Sequence, residues 1–175
     1  MAYPISTRLT RKALLMSSLL PRSTIIYVED NHGDALLLGE ALTERKHDAA
    51  LVIIDNGAKA LHYFEVKAKV KDVPPPHCIL LDTHLPIITG LQLIDFIRSS
   101  ETYKDTPVYI FASEQEYAKL KKATVISSES FLVKPDVWDG YLALADLLMK
   151  SAEANRKDLK ASPTDDKPEV HAEGE

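Results

Sequence analysis

The chain has 175 residues, 45% of them hydrophobic, which is enough for one domain with its own core. A formal charge of -5 argues against a nucleic-acid face, and a single cysteine excludes an internal disulfide framework and fits a reducing compartment. No run of about 18 apolar residues offers a membrane span. Residues 1–22 form a basic arm, with Arg8, Arg11, Lys12 and Arg22 and no acid. Leu9, Ala13, Leu14 and Met16 recur there at roughly helical spacing, so the arm is expected to be flexible or a short helix. Its apolar stretch is too short for a secretory signal, and translation starting at Met16 would remove much of it.

Ser23 to Val28 is β-branched and reads as a strand that ends in Glu29-Asp30. Asn31-His32-Gly33 makes a turn, and Leu37, Leu38, Ala41 and Leu42 mark a helix to about Lys46. Ala50 to Ile54 is a second strand, Asn56-Gly57 a loop, and Ala58 to about Ala68 a second helix. Pro74-Pro75-Pro76 breaks the chain before Cys78-Ile79-Leu80-Leu81-Asp82, an apolar strand that suits a sheet covered on both faces. Cys78 is expected as a small buried strand residue. Leu91, Ile94 and Ile97 define a third helix, and Thr106 to Ala112 a fourth strand. Ser113 with Glu116 has the capping-box spacing and opens a short polar helix to about Lys122. Phe131 to Val133 is the fifth strand, followed by Lys134-Pro135, a cap at Asp136 and a last helix to about Lys150. Residues 151–175 have sparse apolar residues and mostly acidic charge, and are expected as a disordered tail.

Strand then helix, repeated along residues 23–150, gives an α/β domain with a parallel sheet and helices on both faces. All strands then deliver their carboxyl ends to one edge, where such sheets bind ligands. Three of those ends are charged: Glu29-Asp30, Asp82 and Lys134. Taken alone, Asp82 reads better as a cap for a loop or the next helix, the commonest job for an Asp after a strand.

The three ends together resemble a response-regulator receiver domain, the phosphoacceptor half of two-component signalling. The motifs are Val28-Glu29-Asp30, Leu80-Leu81-Asp82 followed by Leu85-Pro86 and Gly90, and Val133-Lys134-Pro135, with Asp82 midway between Asp30 and Lys134. The wording Val28-Glu29-Asp30-Asn31, with Glu40-Ala41-Leu42 further on, is closest to the small standalone receivers paired with phytochrome-type kinases. The resemblance implies a flavodoxin-like (βα)5 doubly wound sheet, of strand order 2-1-3-4-5. It implies that Asp82 accepts a phosphoryl group from a histidine kinase. Mg2+ would be held by Asp30, Asp82 and the backbone carbonyl of His84, with Glu29 acting through water. Lys134 would pair with Asp82 and then with a phosphoryl oxygen, and Pro135 would follow Lys134 through a cis peptide bond. The physical logic agrees: phosphoryl transfer to a carboxylate is a matter of positioning and charge neutralisation. Clustered acids also need a cation, and a hard ion prefers oxygen ligands.

One position departs from the pattern. The family's Thr or Ser at the end of the fourth strand is here Ala112, which has no hydroxyl to donate. Ser113 is next to it and could substitute after a one-residue shift, but strand alternation points its side chain elsewhere and the favoured reading is the helix N-cap. Phe131 stands at the family's aromatic switch position and reads equally as strand core. His84 matches a position that overhangs the site and tunes hydrolysis, and reads equally as a plain loop residue. His32, His47, His62 and His77 show no ligand spacing.

Three functions follow. The first is a standalone cytoplasmic response regulator, an acceptor that assists its own phosphorylation and dephosphorylation without being an enzyme. Its output would be contact with a downstream protein, or homodimerisation through the 113–150 face, with no nucleic acid or membrane involved. The second is a degenerate receiver that binds partners without phosphorylation, motivated by Ala112. The third is an aspartyl-nucleophile phosphatase, disfavoured because His84 stands where its general acid is needed.

Overall fold

The computed structural model describes residues 23–70, 73–123 and 131–161. The arm at 1–22, the stretch 124–130 within the expected dimer face, and the last part of the expected tail, 162–175, lie outside them. Strands and helices alternate: β1 (Ser23–Val28), α1 (His32–Glu44), β2 (Ala49–Ile54), α2 (Gly57–Ala68), β3 (Cys78–Asp82), α3 (Gly90–Ser99), β4 (Val108–Ala112), α4 (Glu114–Ala123), β5 (Phe131–Val133) and α5 (Trp138–Ala161). The strands are all parallel, in the order β2-β1-β3-β4-β5.

Alternating side chains divide the strands between two cores. Ile25, Tyr27, Cys78, Leu80 and Phe111 pack with Leu38 and Ala41 of α1 and Ala145 and Leu148 of α5. Ile26, Val28, Ile79, Leu81 and Ile110 pack with Phe64 of α2 and Leu93 and Ile97 of α3. The buried Val, Leu, Ile and Phe side chains among these each contribute roughly 1.5–3 kcal/mol. Caps fix the helix starts: Asn31 accepts from Gly33 N–H (2.9 Å), Asn56 from Lys59 N–H (2.9 Å), and Thr89 forms a capping box with Gln92.

Three boundaries differ from the sequence reading. β4 starts at Val108, not Thr106, because Pro107 has no N–H and the Thr106 carbonyl is taken by Arg98 Nη1 at 2.8 Å. α5 starts at Trp138, two residues beyond the cap expected at Asp136. It also runs to Ala161, so residues 151–161 are helix and not tail. Packing extends it: Ala152 is fully buried, Ser151 Oγ accepts from Tyr109 OH (2.7 Å), and Asn155 Nδ2 donates to the His77 carbonyl (3.1 Å).

Register sets the working edge. Val28 pairs with Leu81, Asp82 with Phe111, and Ala112 with Val133. Glu29, Asp82 and Lys134 therefore emerge side by side.

Candidate functional site

Lys134 is placed by its backbone, whose N–H donates to the Ala112 carbonyl at 2.8 Å. Its side chain lies over the Phe111 ring, with Nζ 5.5 Å from the centroid. Nζ donates to Glu29 Oε2 (2.7 Å), Asp34 Oδ2 (2.9 Å) and Asp82 Oδ2. An ammonium has three N–H groups, and here each meets a carboxylate. Glu29 is 1% exposed and Asp82 4%, so the cation offsets a desolvation cost that neither acid could bear alone.

The remaining acceptor sites are also filled. Glu29 Oε2 takes the Tyr27 hydroxyl (2.8 Å) and Oε1 the Asn31 N–H (3.0 Å). Asp82 Oδ1 takes the His84 N–H (2.5 Å), and Asp34 Oδ1 the Tyr141 hydroxyl (3.2 Å). Burial and the facing Asp82 push Glu29 up to about 7, against the opposing pull of Lys134. Burial works against the Asp82 charge too, but Lys134 and the His84 N–H outweigh it and hold Asp82 below the ordinary carboxylate value. Two facing acids thus divide their roles: Glu29 takes a proton more readily and Asp82 keeps its charge. Burial alone would lower Lys134, yet its three carboxylates raise it above an ordinary lysine. Burial, then Asp34, pushes Tyr141 up to about 12.

The structure brings Glu29, Asp82 and Lys134 together as expected. Asp30 lies exposed next to them, and the acid turned into the cluster is Glu29. The Lys134–Pro135 peptide is trans, contrary to the cis bond that the family resemblance implied. Trans is the preferred form even before proline, and the Lys134 N–H to Ala112 bond is made with it. Ala112 is fully buried at the end of β4. Ser113 caps α4: its hydroxyl donates to Glu116 Oε2 (2.8 Å) and accepts from the Glu116 N–H (3.4 Å). Phe131 is buried, edge-on to Tyr117 at 5.8 Å. The His84 ring is largely exposed and pairs with Glu116.

Sequence reasoning missed Asp34, Tyr27, Tyr141 and Glu116 as parts of this edge. Tyr27 carried a signal, since strand alternation places it on the same side as Glu29, two residues on. Asp34 lies in the first turn of α1, where an acid is explained by the helix dipole alone. Two glycines close the turn after Asp82. A Cβ at Gly90 would overlap the Asp82 carbonyl oxygen, and one at Gly57 the Ile88 carbonyl oxygen. Among the described residues, no three His, Cys, Asp or Glu side chains are gathered as ligands for a common ion; the acids here are arranged around Lys134.

A doubly wound sheet of this strand order, with a charged Asp at the end of its central strand and a Lys against it from β5, is the flavodoxin-like architecture of a signalling receiver. The sequence matches the response regulator receiver domain over residues 25–139, and the chain belongs to that family. Two-component response regulator ARR6 of Arabidopsis thaliana is 27% identical over 130 residues, covering 72% of this chain and 69% of the relative. Response regulator Rcp1 of Synechocystis sp. is 29% identical over 93 residues, covering 53% of this chain and 63% of the relative. The solved bacteriophytochrome response regulator RtBRR superposes with a TM-score of 0.59 at 28% identity, covering 79% of this chain and 93% of that one. A Mn(2+)-bound form of Rcp1 shares the fold, with a TM-score of 0.53 at 24% identity over 81% of this chain and 97% of that one. The chain is thus structurally similar to phytochrome-type receivers. No described helix is long and apolar enough to cross a membrane.

Proposed function

We propose that the protein is a standalone response regulator in which Asp82 accepts a phosphoryl group from a histidine kinase, of the phytochrome type by likeness. The observation that carries this is the pairing at the sheet edge of a nearly buried, charged Asp82 with Lys134. An Asp82 carboxylate oxygen attacks phosphorus while the phosphorus–nitrogen bond of the donor's phosphohistidine breaks. The bonding pair leaves with the imidazole, which takes up a proton. Lys134 holds a phosphoryl oxygen as charge builds there.

The donor chemistry fits Mg2+: Asp82, Asp30, the His84 carbonyl and, through water, Glu29 are the hard oxygen groups such an ion takes. When bound, it would supply charge neutralisation among acids that Lys134 alone now balances. The protein is an acceptor, not a turnover enzyme. Its output is a changed surface on the 113–150 face, where Val133, Val137 and Leu147 are exposed, offered in the cytoplasm to a downstream protein or a second copy.

Acetyl phosphate with Mg2+ is expected to add one phosphoryl mass to the protein and none to Asp82→Asn, read by intact mass spectrometry. An unmutated protein that takes no adduct rejects the reading. Ala112 supports a second one, a binding module that ignores phosphorylation, because the buried end of β4 offers no hydroxyl. Equal partner binding by the protein and Asp82→Asn would favour it.

A further inference from the structure

One carboxylate outside the Lys134 cluster gathers donors from two separate loops. Glu116, in the first turn of α4, accepts the Ser113 N–H (2.9 Å) and the Ser113 hydroxyl (2.8 Å). It also meets the Thr83 hydroxyl (3.5 Å) and Nδ1 of His84. A capping box accounts for the first two contacts. It does not account for the others, which come from the two residues directly after Asp82. Glu116 therefore joins the turn that carries Asp82 to the start of α4, and it occupies the hydroxyl that stands next to Ala112.

We propose that Glu116 is a positioning residue of this site. Before phosphorylation it sequesters the Ser113 hydroxyl and ties the Asp82 turn to α4. A phosphoryl group on Asp82 displaces it, and Ser113 then donates to the phosphoryl oxygen in place of the hydroxyl missing at residue 112. This rests on Asp82 being the phosphoacceptor. A phosphoryl group brings about -1.5 to -2 charge and three strong acceptor oxygens. It both repels a neighbouring carboxylate and competes for the donors that Glu116 now holds. The displaced side chain has somewhere to go: a cavity of about 290 Å3 lies beside it, lined by Thr83, His84, Thr89, Leu91, Lys119 and Leu120. Lys119 offers the carboxylate a cation there.

The test uses the full chain with acetyl phosphate and Mg2+, following adduct by intact mass and amide exchange over residues 113–116. In the unmutated protein these amides are expected to exchange about tenfold faster once the adduct forms, the scale of losing a charge-assisted hydrogen bond. Glu116→Gln keeps an oxygen for the Ser113 N–H but loses the charge. It should exchange fast from the outset, show no further change, and still take one phosphoryl group. Ser113→Ala should take the adduct and lose it severalfold faster than the unmutated protein, which loss of a helix cap does not produce. Adduct formation with unchanged exchange in the unmutated protein, or Glu116→Gln behaving like it, overturns the inference alone. No adduct at all overturns the phosphoacceptor reading and this inference with it.

Discussion

The two ends of the sheet are held by different physics. At the carboxyl end, Glu29, Asp34 and Asp82 crowd around Lys134 with little water to screen them. At the amino end the ion pairs, Arg45 and His47 with Asp146 and Lys104 with Glu101, are partly exposed, and the bonds that anchor the strand starts join neutral groups. The Thr24 N–H donates to His77 Nδ1 (3.0 Å), the His77 N–H to the Thr24 carbonyl (2.8 Å), Asn155 to the His77 carbonyl (3.1 Å), and Tyr109 to Ser151 (2.7 Å). Ala152 closes that end with no exposure. On the proposed function, the charged end is the one that would answer a new anion, and the neutrally packed end would give that response a fixed reference.

The contrast breaks hardest at Lys134. Lys134→Ala leaves two nearly buried acids without their cation and should cost about 3–5 kcal/mol at neutral pH, read from the midpoint of urea unfolding. The loss should shrink at mildly acid pH, where Glu29 carries a proton. Next in size is the pH dependence of the unmutated protein. The folded pKa of Glu29, about 7, lies above its unfolded value, so between about 4.5 and 7 the native state holds a proton that the unfolded chain has released. Stability should therefore fall as pH rises through that window, by up to about 3 kcal/mol, and Glu29→Gln should flatten the slope. Asp82 acts oppositely: its pKa is depressed on folding, so its contribution is lost as pH falls towards the acid limit. At the amino end, ending the chain at Lys150 removes the burial of Ala152 and two hydrogen bonds. It should cost about 2 kcal/mol while leaving Asp82 phosphorylation intact. Tyr109→Phe, which removes one neutral hydrogen bond, should cost about 1 kcal/mol with the same normal phosphorylation.

Much of this architecture is legible in the sequence because local signals agree with the global ones. Apolar runs at β1 and β3 demand cover on both sides, and Ser113 marks a helix start by chemistry that acts within three residues. Glu29, Asp82 and Lys134 converge for a topological reason: parallel strands share an edge. What could not be read depends on distant partners. The extension of α5 past Lys150 is invisible as periodicity, since it rests on Ser151, Ala152 and Asn155 meeting Tyr109 and His77 across the fold. Asp34 looks like a dipole acid until Lys134 arrives from the far end of the chain. Glu116 looks like one half of a cap until Thr83 and His84 are seen beside it.

The glycines behind Asp82 have a mechanical consequence. Gly90 presses the start of α3 against the Asp82 backbone and Gly57 presses α2 against Ile88, so the far half of that turn is stiff. On the proposed function, a displacement at the aspartate would therefore pass to the near half, where Thr83 and His84 reach towards α4. A methyl group at either glycine would wedge this brace apart, and motion begun at the aspartate would dissipate into α3 before it reached the surface.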